Sequence, residues 1–115
     1  MEEKLETIPN NYRTRDYEVN IRFPEFTCLC PRTGQPDFAE IVLRYVPGEL
    51  LVELKSLKFY LNAFRTRGIF HEEAVNRVLE DFVEAVKPKS AEVTGNFNVR
   101  GGIYTTVRAG YPSVP

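Results

Sequence analysis

The sequence shows no excess of charge of either sign and no long hydrophobic run. It has 15 lysines and arginines against 16 aspartates and glutamates, which gives a formal net charge of -1. This balance offers no overall electrostatic attraction for nucleic acid or for an anionic lipid surface. No apolar stretch approaches the ~20 residues that a membrane-spanning helix needs, and residues 1–6 are mainly acidic, where a signal peptide is basic and then apolar. We therefore expect a cytoplasmic protein that binds no nucleic acid directly and does not enter a membrane.

Cysteine and histidine are scarce, which limits the chemistry that the chain can support. Cys28 and Cys30 are the only cysteines, and His71 is the only histidine. The two cysteines are too close in sequence for an unstrained disulfide, and free thiols are typical of a reducing compartment. A zinc site built from these three residues would lack the paired spacing of structural zinc sites, so we expect no bound metal. A cysteine is most often a small buried side chain, but one of the two could be a nucleophile.

The sequence contains no Walker loop and no Gly-x-Gly-x-x-Gly after a predicted strand, so no motif of this kind indicates a dinucleotide. Basic side chains are instead concentrated at Lys55, Lys58, Arg65 and Arg67, with Arg100 farther along the chain. Two glycines follow Arg100, and there the backbone could approach a phosphate closely. The basic residues could bind an anionic ligand, or they could form a solvated helix face.

The alternation of apolar and polar residues predicts an α+β domain. Residues 17–23 and 38–46 have the period of half-buried strands. Pro24 would end the first strand or place it at a sheet edge. Residues 57–65 have the three- and four-residue spacing of a helix, with Gly68 as its expected C-cap.

The second helix, over residues 72–86, is the clearest element of the pattern. Its apolar residues form one stripe, and its first turn carries two glutamates. Lys87–Pro88 ends it, and the alternating segments on either side of Gly101–Gly102 then predict a hairpin. The order ββααββ predicts a four-stranded antiparallel sheet with both helices on one face. The expected divisions are a loosely held arm at 1–16, a single domain at 17–110 and a tail at 111–115.

A loop rich in proline and glycine, predicted at residues 25–37, contains Cys30 and ends at Asp37. Constrained loops on rigid scaffolds often carry functional residues. A cysteine attacks as the thiolate, which needs a nearby base or positive charge. Both cysteines fall on the same side of an extended segment, so spacing does not identify the reactive one. Beyond this loop, Glu72 beside His71 could bind the N–H edge of a guanine-like base, or it could only stabilise a helix start.

Residues 53–60 read Glu-Leu-Lys-Ser-Leu-Lys-Phe-Tyr. This octapeptide resembles the signature of the NADPH-dependent nitrile reductases, the 7-cyano-7-deazaguanine reductases of queuosine biosynthesis, with Phe59 where the family has Leu or Tyr. Residues 29–37 resemble the family's nucleophile loop, and residues 70–72 resemble its substrate-recognition segment. The likeness covers residues 17–107, with the motifs in the family's order.

The resemblance implies a tunnelling fold, in which small antiparallel units with paired helices assemble into rings. It implies the short, single-unit form, a homo-oligomer of two stacked pentamers that make a decamer, with sites that neighbouring subunits share. It also implies a reaction, the four-electron reduction of a nitrile to the amine of 7-aminomethyl-7-deazaguanine. NADPH would supply the hydrides, and a covalent cysteine thioimide would be the intermediate.

The same resemblance implies a role for individual residues. Cys30 would be the nucleophile and Asp37 the proton donor. The residues expected to bind the deazapurine substrate are Val52, Glu53, Leu54, Phe70, His71 and Glu72. The residues expected to bind NADPH are Leu54, Lys55, Lys58, Arg100 and Gly101.

Two other functions stay open at this point. A related amidinotransferase acts on the same nitrile in tRNA without a nicotinamide, but it lacks the lysine-bearing signature that is intact here. A purine-binding module of the same fold would need no catalytic cysteine, and Cys30 would then be an incidental thiol.

Overall fold

The fold is taken from a computed structural model that describes residues 4–113, except for the side chains of residues 99 and 100. The strands are β1 (Thr7–Pro9), β2 (Val19–Leu29), β3 (Pro36–Val46), β4 (Leu50–Val52), β5 (Ser90–Arg100) and β6 (Ile103–Tyr111). The helices are α1 (Leu54–Asn62), which continues as a 3-10 turn (Ala63–Thr66), and α2 (His71–Val86).

One antiparallel sheet carries the fold, with its four strands in the order β2-β3-β5-β6. Along β3, Ala39, Ile41, Leu43 and Tyr45 alternate with more exposed residues and point into the core. Both helices lie over this apolar face. Phe82 of α2 packs on Tyr45 with ring centroids 4.8 Å apart, and Phe64, in the 3-10 turn that continues α1, packs on Phe26 of β2 at 5.4 Å. The prediction of an α+β domain with two helices on one sheet face is confirmed.

The other sheet face is polar and carries ion pairs between neighbouring strands. Arg22 and Glu40 are 2.6 Å apart, and Arg44 lies 3.5 Å from Glu92. Glu92 also pairs with Arg108 at 3.5 Å. An antiparallel sheet can hold one apolar and one polar face in this way because successive side chains point to opposite sides.

Helix α2 follows its predicted pattern closely. Glu72 and Glu73 lie in the first turn, and Lys87 caps the end in the left-handed conformation with φ 52°. Full burial of each larger side chain in its stripe stabilises the fold by about 1.5–3 kcal/mol. The buried residues of α2 are Ala74, Val75, Val78, Leu79, Phe82 and Val86.

Strand β2 is longer than predicted, and Pro24 lies inside it rather than at its end. The pairing with β3 shifts register between Phe23 and Phe26, and β2 is an edge strand. A proline is tolerated at an edge or bulge because the ladder needs no N–H from it there. The predicted loop at 25–37 is therefore wrong in extent, because only residues 30–35 connect β2 to β3.

The prediction of a loosely held arm is wrong for residues 7–10. Strand β1 pairs antiparallel with β4, and Thr7 lies opposite Val52. Asn10 is 1 % exposed, and its side-chain amide donates to the Gly48 carbonyl at 2.8 Å. Its Oδ1 accepts from the Tyr17 hydroxyl at 2.7 Å. A strand of three residues is too short to show a period in the sequence, so its pairing was not predictable from periodicity.

The arm also contacts the start of α1. The Glu53 N–H donates to the Glu6 carbonyl at 2.9 Å. The Glu6 N–H donates to Ser56 Oγ, also at 2.9 Å. Strand β1 and its flanking residues therefore hold the first turn of the signature helix in place.

The expected C-cap at Gly68 is wrong. Helix α1 ends at Asn62 and tightens into the 3-10 turn, which Arg67 ends in an extended conformation. Gly68 instead forms a parallel bridge with Leu29.

No helix within residues 4–113 is long and apolar enough to cross a membrane.

Candidate active site

A tight connection between β2 and β3 fixes the position of Cys30. The Cys30 N–H donates to the Gln35 carbonyl at 2.8 Å, and the Gly34 N–H donates to the Cys30 carbonyl at 2.8 Å. Gly34 has φ 74°, a left-handed conformation that glycine adopts without steric cost. Cys30 therefore lies on a short, hydrogen-bonded turn at the end of a rigid hairpin.

The segment before α2 is joined to the end of β2. The Leu29 N–H donates to the Arg67 carbonyl at 2.9 Å, and the Ile69 N–H donates to the Leu29 carbonyl at 3.0 Å. Phe70 is the extended N-cap of α2, and the helix begins at His71. These contacts bring the start of α2 beside Cys30, although about 40 residues separate them in the sequence.

The result is a cavity of about 270 Å³ between the hairpin turn, the start of α2 and strand β6. It contains the predicted nucleophile, proton donor and substrate-recognition segment. Its lining residues are Cys30, Pro31, Asp37, Phe70, His71, Glu72, Ile103 and Thr105.

The two cysteines differ in both burial and acidity. Cys28 is fully buried, and burial, with a smaller contribution from Asp37, raises the pKa of its thiol to about 11. Cys30 is partly exposed, and a hydrogen bond with the Thr33 side chain lowers the pKa of its thiol, helped by the backbone of Thr33 and Arg32. Because the thiolate is the reactive form, these environments favour Cys30 as the nucleophile.

Asp37 and His71 form the polar centre of the cavity. Asp37 is 7 % exposed, and its Oδ2 lies 3.2 Å from His71 Nε2. Asp37 is a strand residue, paired with Cys28 across the sheet, and not the end of a loop as predicted. The sheet ladder therefore fixes the backbone of Asp37, from which its carboxyl group reaches His71.

The signature segment does not line this cavity within one chain. Glu53 is the N-cap of α1, and its carboxylate accepts from the Ser56 N–H at 2.7 Å and the Lys55 N–H at 3.0 Å. These hydrogen bonds lower the pKa of Glu53. Val52, the last residue of β4, is buried at 4 % exposure.

The remaining residues expected to bind NADPH are at the surface, apart from one that is not described. Leu54 is 62 % exposed, and Lys55 and Lys58 are exposed on α1. Gly101 lies in the turn between β5 and β6 with φ 60°. The side chain of Arg100 lies outside the described part of the chain.

Sequence reasoning missed Ile103 and Thr105, which close the cavity from β6. Both follow the alternation of β6, and Thr105 pairs with Phe97 of β5. The Gly101–Gly102 turn could have indicated the register in which β6 pairs with β5. Only the packed fold shows that this end of the hairpin faces Cys30.

A larger depression, of about 420 Å³, lies on the polar face of the sheet. Arg44, Glu92 and Arg108 line it and are engaged in ion pairs with one another. It contains no cysteine, whereas the Cys30 cavity contains a partly exposed thiol. Cys28, Cys30 and His71 do not form a group that could hold a metal ion, and the described residues contain no other such group.

The difference between the two thiols predicts selective alkylation of the folded protein by iodoacetamide. Cys30 is expected to react at neutral pH, with a midpoint below that of an ordinary cysteine, because a lowered pKa leaves more thiolate at a given pH. Cys28 is expected to stay unmodified well into the alkaline range, because its pKa is about 11. Peptide mapping by mass spectrometry measures both sites, with denatured protein as the control. Equal labelling of the two sites in the folded protein would contradict the assignment.

Comparison with known proteins gives consistent results. Residues 36–114 match the family described as QueF-like protein. Three curated relatives are named NADPH-dependent 7-cyano-7-deazaguanine reductase. The protein of Alkalilimnicola ehrlichii is 59 % identical over 105 residues, which cover 91 % of this chain and 81 % of its own. The protein of Nitrosococcus oceani is 56 % identical over 108 residues, covering 94 % and 84 %. The protein of an Anaeromyxobacter species is 56 % identical over 111 residues, covering 96 % and 91 %.

A solved structure is also similar. The crystal structure of the archaeosine synthase QueF-Like in the apo form superimposes with a TM-score of 0.75 at 26 % identity. The match covers 87 % of this chain and 96 % of that one.

Proposed function

This chain belongs to the QueF-like family, and from that membership and the geometry of the Cys30 cavity we propose that it is an NADPH-dependent 7-cyano-7-deazaguanine reductase. Its ββααββ unit is the tunnelling fold. The reaction converts the nitrile to the primary amine of 7-aminomethyl-7-deazaguanine, in the pathway to queuosine in tRNA. The observation that carries the proposal is a partly exposed thiol of lowered pKa in one cavity with a buried carboxyl group and a histidine.

Cys30 acts first in the proposed mechanism. A nitrile is a poor hydride acceptor, so the Cys30 thiolate adds to its carbon and forms a C–S bond while one C–N π bond opens. The nitrogen takes up a proton in place of the one that the thiol lost, and the product is a thioimide. When bound, NADPH supplies the two hydrides that carry the carbon to the amine oxidation level. The C–S bond breaks before the second reduction and returns the thiolate.

Asp37 supplies the proton that the thioimide nitrogen takes up when a hydride adds to its carbon. Its carboxyl group is nearly buried and lies in the cavity with Cys30, which places a proton donor close to the bond that Cys30 makes. His71, at 3.2 Å from Asp37, orients that carboxyl group.

The start of α2 recognises the base. Glu72 lies in the first helical turn and lines the cavity, where its carboxylate can accept hydrogen bonds from the N–H edge of the deazaguanine. Phe70 is 50 % exposed beside it and covers one face of the ring.

The surface of α1 fits an anionic cofactor with aromatic rings. The Nζ atoms of Lys55 and Lys58 each lie 5.9 Å from the ring centroid of Phe59, which is 45 % exposed. Exposed cations around an exposed aromatic ring suit a ligand that combines phosphates with planar rings. The residues proposed to hold NADPH are Leu54, Lys55, Lys58, Arg100 and Gly101.

A complete site would need a second copy of the chain. Because Glu53–Lys58 does not line the cavity of its own chain, we assign Val52, Glu53 and the NADPH-binding lysines of each site to a neighbouring subunit. The edge strands β2 and β6 supply the ladder groups through which copies could pair into a ring. We propose a decamer of two stacked pentamers. Sedimentation velocity measures its mass, and a fully active monomer would exclude the shared site.

We also place the enzyme in the cytoplasm. Both cysteines are free thiols, and the proposed nucleophile must stay reduced to react. Fractionation of cells that express the protein tests this, and recovery from an oxidising compartment would contradict it.

A spectrophotometric assay tests the function. Reduced protein, NADPH and the nitrile base are mixed, and the near-ultraviolet absorbance of NADPH is followed. Two molecules of NADPH are expected to be consumed for each amine formed. The protein without nitrile, and the nitrile without protein, are the controls. No consumption by a folded, reduced sample would overturn the proposal.

The likeness to an archaeosine synthase favours an amidinotransferase as the second candidate. Such an enzyme would also attack the nitrile with its cysteine but would consume no NADPH. A purine-binding module would form no adduct at all. The intact signature at residues 53–60 favours the reductase.

A further inference from the structure

The imidazole of His71 lies flat on the ring of Phe97. The two ring centroids are 3.8 Å apart, and the planes differ by 6°. Phe97 is 4 % exposed and lies on the core face of β5. It is not among the residues that line the cavity. Phe97 therefore reaches the site through two residues that line it, His71 by ring stacking and Thr105 as its partner across the sheet.

The Phe97 ring is itself held on two sides. Phe26 meets it edge to face, with centroids 6.4 Å apart and an interplanar angle of 88°. The absence of a side chain at Gly95 makes room for it, because a Cβ there would lie 2.9 Å from Phe97 Cε1 and 2.7 Å from Val75 Cγ2. Such close approaches require one of the neighbours to move. The position of the ring is thus set by the sheet, by Phe26 and by the space over Gly95.

We propose that Phe97 is a positioning residue for the reaction, whose ring holds the His71 imidazole in the plane in which Nε2 meets Asp37 Oδ2. The proposal rests on the proposed function, in which Asp37 is the proton donor. His71 is the first residue of α2, and its side chain is 22 % exposed. The cavity therefore does not enclose the imidazole on all sides. The flat face of Phe97 removes the freedom of that ring to rotate.

A purely structural role would need only an apolar side chain of similar size. Leucine at this position would keep the core filled, but it has no flat face for an imidazole to stack on. The proposal therefore predicts a specific result for Phe97→Leu. The nitrile adduct still forms, its reduction slows about 2- to 12-fold, the range that aromatic-pair energies correspond to, and KM for the nitrile base changes little.

Phe82→Leu is the matched control. Phe82 is fully buried, lies on the same helix as His71 and packs on Tyr45 at 4.8 Å, away from the cavity. Both variants lose an equal volume from the core. Only Phe97→Leu is expected to slow reduction of the adduct once both are assayed well below their melting temperatures.

A second measurement does not depend on activity. The chain has a single histidine, so the imidazole signals in a histidine-labelled sample belong to His71. Stacking on an aromatic face shifts these ring-proton signals upfield. The shift is expected in the wild type and in Phe82→Leu and is lost in Phe97→Leu. Gly95→Ala keeps the phenylalanine at position 97 but adds a Cβ that displaces its ring. This variant is expected to reduce the upfield shift and to slow reduction of the adduct in the same way.

The outcomes are distinct. Wild-type His71 signals without an upfield shift would overturn the stack, even if neither variant folds. A lost shift in Phe97→Leu with unchanged reduction of the adduct would overturn the positioning role. If wild-type protein consumes no NADPH, the proposed function fails, whereas the signals of His71 still report on the stack.

Discussion

Cys30→Ala is expected to abolish turnover and to prevent formation of a covalent adduct with the nitrile base. Without the thiolate, no C–S bond forms, and a nitrile does not accept a hydride directly at a useful rate. Loss of a nucleophile lowers kcat by factors of about 10⁴ or more in enzymes that depend on covalent catalysis. The NADPH assay measures turnover, and intact-protein mass spectrometry detects an adduct of one nitrile base per chain.

Cys28→Ala is the matched control, because Cys28 lies two residues before Cys30, near the end of β2. Its thiol is buried, and its pKa is raised to about 11, so its removal should leave both turnover and adduct formation intact. The expected cost is about 1 kcal/mol in the free energy of unfolding, from the loss of one buried heavy atom. If Cys28→Ala lost the adduct while Cys30→Ala kept it, the nucleophile would be Cys28.

Asp37→Asn is expected to separate adduct formation from reduction. Asparagine has nearly the same shape and can still meet His71, but it cannot donate a carboxyl proton to the thioimide nitrogen during reduction. The adduct should therefore form, whereas its reduction should slow by about 10²- to 10⁴-fold, the usual contribution of a positioned general acid. Single-turnover mixing with NADPH after the adduct has formed measures the second step alone.

The contrary result for Asp37→Asn would also be informative. Loss of the adduct itself would assign Asp37 to activation of the thiol and would leave the proton donor unidentified. Wild-type protein treated in the same way supplies the reference rate for both steps.

Local patterns in the sequence predicted those helices and hairpins that are determined by residues close to one another in the sequence. The stripe of α2, its two first-turn glutamates and its end at Lys87–Pro88 all follow from helical spacing and charge. The hairpin at Gly101–Gly102 follows from alternation and turn chemistry. In each case the determining residues lie within a few positions of one another.

Contacts between distant residues were not predictable in this way. The pairing of β1 with β4 joins residues more than 40 positions apart and leaves no period in three residues. The bridge from Leu29 to Gly68, which brings the start of α2 to Cys30, depends on backbone groups and not on side-chain type. The resemblance to a known family suggested that Cys30, Asp37 and His71 share a site. Spacing alone did not show whether Cys28 or Cys30 is the reactive cysteine.

The residues at and before strand β1 hold the start of α1, and this has a consequence for truncated or tagged forms of the protein. Chain ends usually tolerate trimming and fusion because their backbone makes few contacts. Here the Glu6 carbonyl and N–H bond to Glu53 and Ser56, at the first turn of the signature helix. A truncation that removes residues 4–10 would therefore deprive that turn of two hydrogen-bond partners and expose the edge of β4. Purification tags are better placed away from this strand. Otherwise, a lower affinity for NADPH in a tagged or trimmed protein would reflect a loosened start of α1 and not the chemistry of the site.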